Sequence, residues 1–261
     1  MVKKLQLHFS KPFKADIWEQ SISGNRLLLT TRDTETMEVS FSLVNLADGS
    51  FVFEDLAFEE NWWVSVYHFF EDVAVFQVYE DTQDIEAKSY FALDLRSQEA
   101  IWSLDAVTAM GRQGHFLQMQ AHNQETEPFF IDIRSGEVLD VLPEEIVAKD
   151  IPEPVRFPLH YTEEGSHFNT VQQYLNHRHG INMVKACDYL EYRDYAMVAY
   201  HKLTGESLEH FLLVMSAEGE LILHEKREGE LKGLISGAFF IAEEQLIFVE
   251  GRKTLKSYLI A

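Results

Sequence analysis

Cysteine, proline and basic residues are all scarce in this chain of 261 residues. The sequence has one cysteine, Cys187, six prolines, and 22 lysines and arginines against 43 aspartates and glutamates. A single thiol excludes an internal disulfide, so we expect a reducing, cytoplasmic location. The formal net charge of −21 repels phosphate backbones and anionic head groups. We therefore expect neither nucleic acid nor a membrane surface as a partner.

Long apolar runs and catalytic signatures are missing as well. No window approaches the roughly 18 apolar residues that a membrane helix needs, and the N-terminus alternates polar and apolar positions instead of resembling a signal peptide. The sequence contains no Walker A motif, no Gly-x-Ser-x-Gly elbow and no His-Glu-x-x-His motif. We predict no cofactor, and we favour a non-catalytic protein while leaving enzyme activity open.

The excess of acidic residues has two explanations. A carboxylate-rich surface can attract cationic partners or metal ions. It also keeps a protein soluble through self-repulsion, and that simpler explanation is favoured.

Turn-and-strand units recur along the chain. Five times a polar or glycine-containing turn is followed at once by a short apolar strand, as expected for the first hairpin of a propeller blade. Most of these turns lie about 40–50 residues apart, the length of a four-stranded blade, and one gap is about twice as long. The turns are Gly24-Asn25, Glu71-Asp72, Gln113-Gly114, Arg193-Asp194 and Glu243-Glu244.

A second unit, in which an apolar strand passes through a small polar turn into another apolar strand, follows four of these turns. Its copies occupy 41–53, 90–102, 129–139 and 212–223. The last repeat lacks it, and residues 4–9 are a candidate for the missing strand, because pairing the chain ends removes exposed sheet edges. We predict an all-β fold over 1–261, a single β-propeller domain of about five four-stranded blades closed by the N-terminal strand.

The long gap between repeats indicates an insertion at about 152–180, where strand alternation fails. Apolar side chains at helical spacing predict a helix there, capped by Ser166 and ended by Gly180. They are Phe168, Val171, Tyr174 and Leu175. A sixth, degenerate blade is the alternative. Because long insertions often carry binding roles, this segment is the first place to look for function.

Two segments resemble the blade signature of quinoprotein-like propellers, in which a strand reading Ala-Leu-Asp turns through a glycine and meets a tryptophan. They are 92–102, which ends on Trp102, and 130–137. Gln98 stands where that family has glycine, and no quinone-binding constellation is recognisable, so the resemblance implies only a propeller fold. Through 157–161 and 188–192 the chain is also similar to an uncharacterised bacterial family of propeller-like proteins, which implies no activity.

Acidic residues are the first candidates for catalysis, because five-bladed propellers include glycosidases that use carboxylates around the central channel. Adjacent acids in a strand face opposite ways, and some acidic pairs fall on predicted turns, so a solvated turn explains such pairs better. Acids that face the channel would come from the starts of the innermost strands. The resulting catalytic candidates are Asp16, Glu60 and Asp105.

Histidines near the end of the predicted helix are candidate metal ligands. His177 and His179 stand two residues apart, a spacing that suits an extended backbone but separates the two rings on a helix. His160 and His167 are candidates for a third ligand. A basic helix end that complements its own dipole explains His177 and His179 equally well and is favoured.

Four tryptophans, Trp18, Trp62, Trp63 and Trp102, offer a third kind of site. Aromatic rings line sugar and peptide sites, but they also dominate β cores, and core packing is favoured. Because neighbours in a strand face opposite ways, one of Trp62 and Trp63 is expected to reach the surface.

These patterns favour a non-catalytic, monomeric propeller that binds a protein or peptide partner, by analogy with propellers whose loops form rigid recognition faces. The alternative is a hydrolase or lyase that acts on a carbohydrate-like substrate with carboxylates in the channel. That alternative requires two or three acids converging on one substrate. An exposed apolar patch in place of such acids would favour partner binding.

Overall fold

The computed structural model describes residues 5–79, 88–122, 126–142 and 155–260, and over these ranges the chain is all-β with one helix. Lys4 and residues 152–154, the start of the predicted insertion, lie outside the described ranges. The strands form four sheets. No helix within the described ranges is long and apolar enough to cross a membrane.

The chain divides into two compact units. One unit comprises 18–46 and the described part of 50–153. The other comprises 5–17, 47–49 and 155–260.

The unit that starts at residue 18 contains a four-stranded and a seven-stranded sheet. The first has the order β2-β3-β4-β5 and the second the order β12-β11-β10-β9-β8-β7-β6. Their strands are β2 Asp16–Ser23, β3 Arg26–Asp33, β4 Glu38–Asn45, β5 Phe51–Leu56, β6 Val64–Phe70, β7 Val73–Tyr79, β8 Lys88–Asp94, β9 Ala100–Gln113, β10 Phe116–Ala121, β11 Phe129–Asp132 and β12 Val138–Leu139.

Strand β9 joins two halves of the seven-stranded sheet. It is 14 residues long, pairs with β8 through its first half and pairs with β10 through its second. Asp105 and Ala106 lie between the two halves, and Ala106 has a positive φ of 52°. This local irregularity allows one strand to serve two neighbouring meanders.

The other unit contains a five-stranded and a four-stranded sheet. Their orders are β13-β14-β15-β16-β17 and β1-β20-β19-β18. Their elements are β1 Gln6–Pro12, β13 Leu159–Thr162, helix α1 Ser166–His179, β14 Val184–Tyr192, β15 Tyr195–Thr204, β16 Ser207–Ser216, β17 Leu221–Leu231, β18 Phe239–Ala242, β19 Gln245–Glu250 and β20 Thr254–Leu259.

Both units contain strands that are covered on two faces. In β7, Ala74 and Phe76 pack in one apolar cluster, while Val73 and Val75 pack in another. In β15 the same alternation sends Met197 and Ala199 to one cluster, and Val198 and Tyr200 to a second. Successive side chains of a strand point to opposite faces, so these continuous apolar runs bury both faces of the sheet.

The predicted hairpins are present. Four of the five turns lie at the predicted residues, and each joins two antiparallel strands. The third is displaced by one residue, because β9 extends to Gln113 and the turn is Gly114-His115. The N-terminal strand also pairs as predicted: β1 runs antiparallel to β20, from Gln6 opposite Leu259 to Pro12 opposite Thr254.

The insertion differs from the prediction in three ways. The helix ends at Gly180 as predicted, with φ +66°, but its N-cap is Gly165 instead of Ser166, and no side chain caps its start. Tyr174 is 44% exposed, so it does not belong to the buried face of the helix. Finally, Leu159–Thr162 forms β13 and pairs with β14, so this part of the insertion extends a sheet.

Gly136 packs closely against Trp102 inside the seven-stranded sheet. Its φ is +75°, and a Cβ on it would lie 2.9 Å from the side chain of Trp102. Trp102 Nε1 donates a hydrogen bond of 3.0 Å to the Ile133 carbonyl in the same turn. Trp102 therefore has the expected packing role, and the glycine of one repeat accommodates the tryptophan of the preceding repeat.

Replacing Gly136 with alanine should destabilise the protein by about 2–3 kcal/mol, because the left-handed backbone is strained and the Trp102 ring must move. Gly24→Ala is the matched control: Gly24 also has a positive φ, but a Cβ there meets nothing within 4 Å. We expect the free energy of unfolding of Gly24→Ala to fall by only about 1 kcal/mol. Urea unfolding of both variants measures the difference, and equal losses would contradict a specific role for the Trp102 contact.

Candidate functional site

A cleft of about 430 Å³ lies between helix α1 and the ends of strands β14, β15 and β16. This volume falls within the roughly 300–1,000 Å³ of typical small-ligand sites. The helix side is formed by Thr170, Val171 and Tyr174, and the sheet side by Tyr189, Glu191, Arg193, Asp194, Tyr195, Ala196, Val198, Met215, Ser216 and Ala217.

Packing fixes the helix over the sheet. Phe168 and Leu175, two turns apart on α1, are fully buried in a cluster with Val198 and Met215. At the far end of the helix, the Arg178 guanidinium donates a 3.3 Å hydrogen bond to the Glu218 carbonyl. The helix wall of the cleft is thus held by an apolar anchor and by a polar contact to the β16–β17 turn.

Gly219 determines where the Tyr174 ring lies. Its φ is +78°, and the space that a Cβ would take is filled by the Tyr174 hydroxyl group. Only glycine adopts this conformation without strain and also leaves room for the phenol. Tyr174 therefore lies at the rim of the cleft, half exposed and backed by a turn.

The polar groups of the cleft are mainly acidic. The Tyr189 hydroxyl donates to Glu191 Oε1, and burial together with this hydrogen bond raises the pKa of Tyr189 above its ordinary value. Asp194 is exposed and has no hydrogen bond or ion pair within the described part of the chain. Arg193 is already engaged, because it forms an ion pair with Glu244 and donates 3.0 Å to the Ile260 carbonyl.

A separate buried polar group belongs to strand β14 of the same sheet. Asp188 is 1% exposed and accepts hydrogen bonds at both oxygens: Oδ1 is 2.7 Å from His160 Nδ1, and Oδ2 is 2.9 Å from the Ala238 N–H. Next to it in the chain, Cys187 is buried, and burial and the Asp188 charge raise the pKa of its thiol to about 12. A thiol held in its protonated form is a weak nucleophile.

His201 and His210 form a stacked pair across β15 and β16, with ring centroids 4.7 Å apart. His201 Nε2 accepts the Ile235 N–H at 3.0 Å, so its Nδ1 carries the proton and donates to the Ala186 carbonyl at 3.2 Å. His210 is equally buried, yet neither of its ring nitrogens has a hydrogen-bond partner. Burial lowers the pKa of His210 to about 2 and also lowers that of His201, so both rings are neutral.

The three catalytic candidates occupy different places. Asp16 lies 3.8 Å from both Arg252 and Lys253. Glu60 accepts the N–H groups of Trp62 and Trp63 at 2.9 and 2.8 Å, the role of a residue that stabilises a turn. Asp105 is exposed at the irregularity of β9. Their described contacts do not bring them together, and none of them lines the cleft.

The four candidate metal ligands are likewise dispersed. His177 and His179 both belong to α1, so the extended backbone that would suit joint ligation is not present there. His160 pairs with Asp188, and His167 stacks on Tyr161. Within the described ranges no group of three or more His, Cys, Asp or Glu side chains is placed to hold a metal ion.

Two tryptophans depart from the expected core packing. Trp18 is 57% and Trp63 47% exposed. The Arg32 guanidinium lies 5.6 Å from the Trp18 ring and 5.0 Å from the Trp62 ring, and it donates to the carbonyls of Trp62 and Val64. As expected for neighbours in sequence, Trp63 is the one that reaches the surface.

The sequence predicts Tyr174 only as part of the buried helix face, and it does not single out Tyr189, Tyr195 or the buried His201–His210 pair as site residues. Tyr189 and Tyr195 lie in apolar strands, where aromatic residues are ordinary core material. The two histidines could have been found from their positions. His201 follows the apolar run of β15, His210 precedes the apolar run of β16, and the alternation of inward and outward side chains along each strand places both rings inside.

Comparison with known proteins supports the expected likeness to an uncharacterised family. Residues 22–102 match a family model described as a domain of unknown function, DUF4905. No curated protein matches the chain in sequence.

Several solved structures resemble the chain over most of its length. BamB from Moraxella catarrhalis has a TM-score of 0.39 and 10% identity, covering 98% of this chain and 99% of its own. A DUF4221 family member from Bacteroides vulgatus has a TM-score of 0.36 and 10% identity, covering 98% of each chain. The β-propeller domain of the Trilobed protease from Pyrococcus furiosus has a TM-score of 0.30 and 11% identity, covering 95% and 65%.

Acidification should destabilise the protein before its carboxylates titrate. In the unfolded chain a histidine takes up a proton near pH 6.5, whereas folded His210 stays neutral down to about pH 2. The unfolded state therefore gains protons as the pH falls below 6.5, and the free energy of unfolding decreases. For His210 alone the loss at pH 5 is about 2 kcal/mol. Burial lowers the pKa values of His68, His201 and His224 in the same direction.

Urea unfolding at pH 7 and pH 5 measures this effect in the wild type and in His210→Phe. The variant keeps an aromatic ring at this position but cannot titrate, so its loss between the two pH values should be smaller by about 2 kcal/mol. An identical loss in both proteins would show that His210 is not held neutral in the folded state.

Proposed function

We propose that this protein is a five-bladed β-propeller that acts as a non-catalytic binding scaffold, and that the cleft beside helix α1 receives a basic segment of a protein or peptide partner. The observation that carries the proposal is the pairing of tyrosine rings with unneutralised carboxylates in one cleft of ligand size.

The strand order supports the propeller. The same meander of four antiparallel strands recurs as β2–β5, β6–β9, β9–β12, β14–β17 and β18–β20 with β1. Each meander corresponds to one blade in the proposal, with β9 shared between two of them. The last blade is completed by β1, which is the closure that propellers use to avoid an open sheet edge.

The chemistry of the cleft favours a cationic occupant. Tyrosine faces attract ammonium and guanidinium groups, and a nearby carboxylate strengthens that attraction. Glu191 and Asp194 supply the carboxylates, while the one cation in the lining, Arg193, is neutralised by Glu244. The net charge of −21 attracts a basic partner over a longer range.

The alternative of a carbohydrate-active hydrolase gains no support from this cleft. None of its candidate acids, Asp16, Glu60 and Asp105, contributes to the lining. Those acids remain a prediction of the sequence.

Fluorescence anisotropy with a labelled Gly-Arg-Lys-Arg-Gly peptide tests the proposal. We expect saturable binding by the wild type and a 5- to 10-fold weaker affinity for Asp194→Asn, about 1–1.4 kcal/mol, because the variant loses one of the two exposed carboxylates of the cleft. Tyr189→Ala, which removes an aromatic face, should weaken binding by a similar factor.

Glu206→Gln is the matched control for charge. Glu206 is exposed in the β15–β16 turn, at the opposite end of the hairpin from Asp194, and the substitution also removes one negative charge. The affinity of Glu206→Gln for the peptide should stay within about twofold of that of the wild type. An equal loss of peptide affinity in Asp194→Asn and Glu206→Gln would contradict recognition in the cleft. The same conclusion would follow if the wild type bound a peptide with glutamine in place of its basic residues as tightly as the basic peptide.

A further inference from the structure

Arg227 is a buried cation at an irregular point of the β16–β17 pairing. His210 pairs with Glu228 and Phe211 pairs with Lys226, so Arg227 is the extra residue of a bulge opposite these two positions. It is 8% exposed, whereas Lys226 beside it faces solvent. The bulge thus turns Arg227 inward, next to His210 on the neighbouring strand.

The hydrogen bonds of Arg227 use only part of its guanidinium. Nε donates 2.8 Å and Nη2 donates 2.5 Å to a single acceptor, the Val249 carbonyl. Nη1 is buried and has no hydrogen-bond partner, and the same is true of both ring nitrogens of His210. Buried donors without an acceptor are rare in proteins, and a bound ion or water molecule is one physical reason for them.

The acidic groups around Arg227 are engaged elsewhere. Asp188 accepts from His160 and from the Ala238 N–H. Glu228 pairs with Arg252, and Glu250 pairs with Lys256. Burial lowers the pKa of Arg227 to about 10, which still leaves the guanidinium charged at neutral pH. Its positive charge therefore lacks a hydrogen-bonded carboxylate within the described part of the chain.

We propose that Arg227 Nη1 and a ring N–H of His210 bind a small inorganic anion of halide size. The charge of the guanidinium favours an anion over a neutral molecule, and the neighbouring His210 offers a second buried N–H donor without a partner. The enclosure favours a small one, because the His210 ring is stacked on His201 and the guanidinium lies 5.7 Å from the Phe248 ring. This site is distinct from the cleft, whose lining includes neither residue.

Anomalous diffraction from a crystal grown in sodium bromide tests the proposal on the unaltered protein. We expect a bromide peak within hydrogen-bonding distance of Arg227 Nη1 and His210. Density without an anomalous signal would identify a water molecule at this place and overturn the proposal.

Thermal unfolding provides the second readout. At constant ionic strength, replacing sodium gluconate by sodium bromide should raise the Tm by about 2–4 °C, since a ligand bound only by the folded state stabilises it. The rise should disappear in Arg227→Gln and His210→Phe but persist in Arg134→Gln, because Arg134 is an exposed arginine outside the site. An equal rise in all four proteins, or a bromide peak without a halide-specific rise, would overturn the proposal.

Discussion

The pairing of β1 with β20 is the contact on which the last sheet depends. It pairs residues near the two ends of the sequence from Gln6 to Pro12, with one register shift between Leu7 and Phe9, and it covers an edge of β20 that would otherwise be open. The same strand holds residues 47–49: His8 Nε2 lies 3.0 Å from the Ala47 carbonyl, and the Phe9 ring fills the space beside Gly49. A contact of such sequence separation carries a large entropic cost of loop closure, which the packing of the rest of the sheet must offset.

Strands β7 and β15 are packed on both faces. This packing explains how a chain with few cysteines and prolines specifies the register of its sheets. β7 and β15 each send alternate side chains into two apolar clusters, so a slip of one residue would exchange the two sets. Helix α1 covers one such face through Phe168 and Leu175 and leaves Tyr174 at the rim. The cleft is therefore a consequence of how the helix docks on the sheet.

The local parts of this arrangement could be predicted from the sequence, and the non-local parts could not. The hairpins were found because turn residues and strand alternation are neighbours in the chain. The sequence does not reveal β13, because four residues before a helix carry little periodicity. It indicates Ser166 as the cap because serine side chains cap helices well, whereas the helix begins after Gly165 without a side-chain cap. The cleft depends on how helix α1 docks on the sheet, and the burial of Arg227 depends on a bulge in β17. Neither feature can be predicted from a local pattern of residues.

Native-state hydrogen exchange of the amides in β1 tests most directly whether the N-terminal strand completes the sheet formed by β18, β19 and β20. We expect the β1 amides that are bonded to β20 to exchange as slowly as those of β19 and β20, because they open only when the whole sheet unfolds. Exchange of the β1 amides within seconds, while those of β19 and β20 remain protected, would show that the N-terminal strand is not part of the folded sheet.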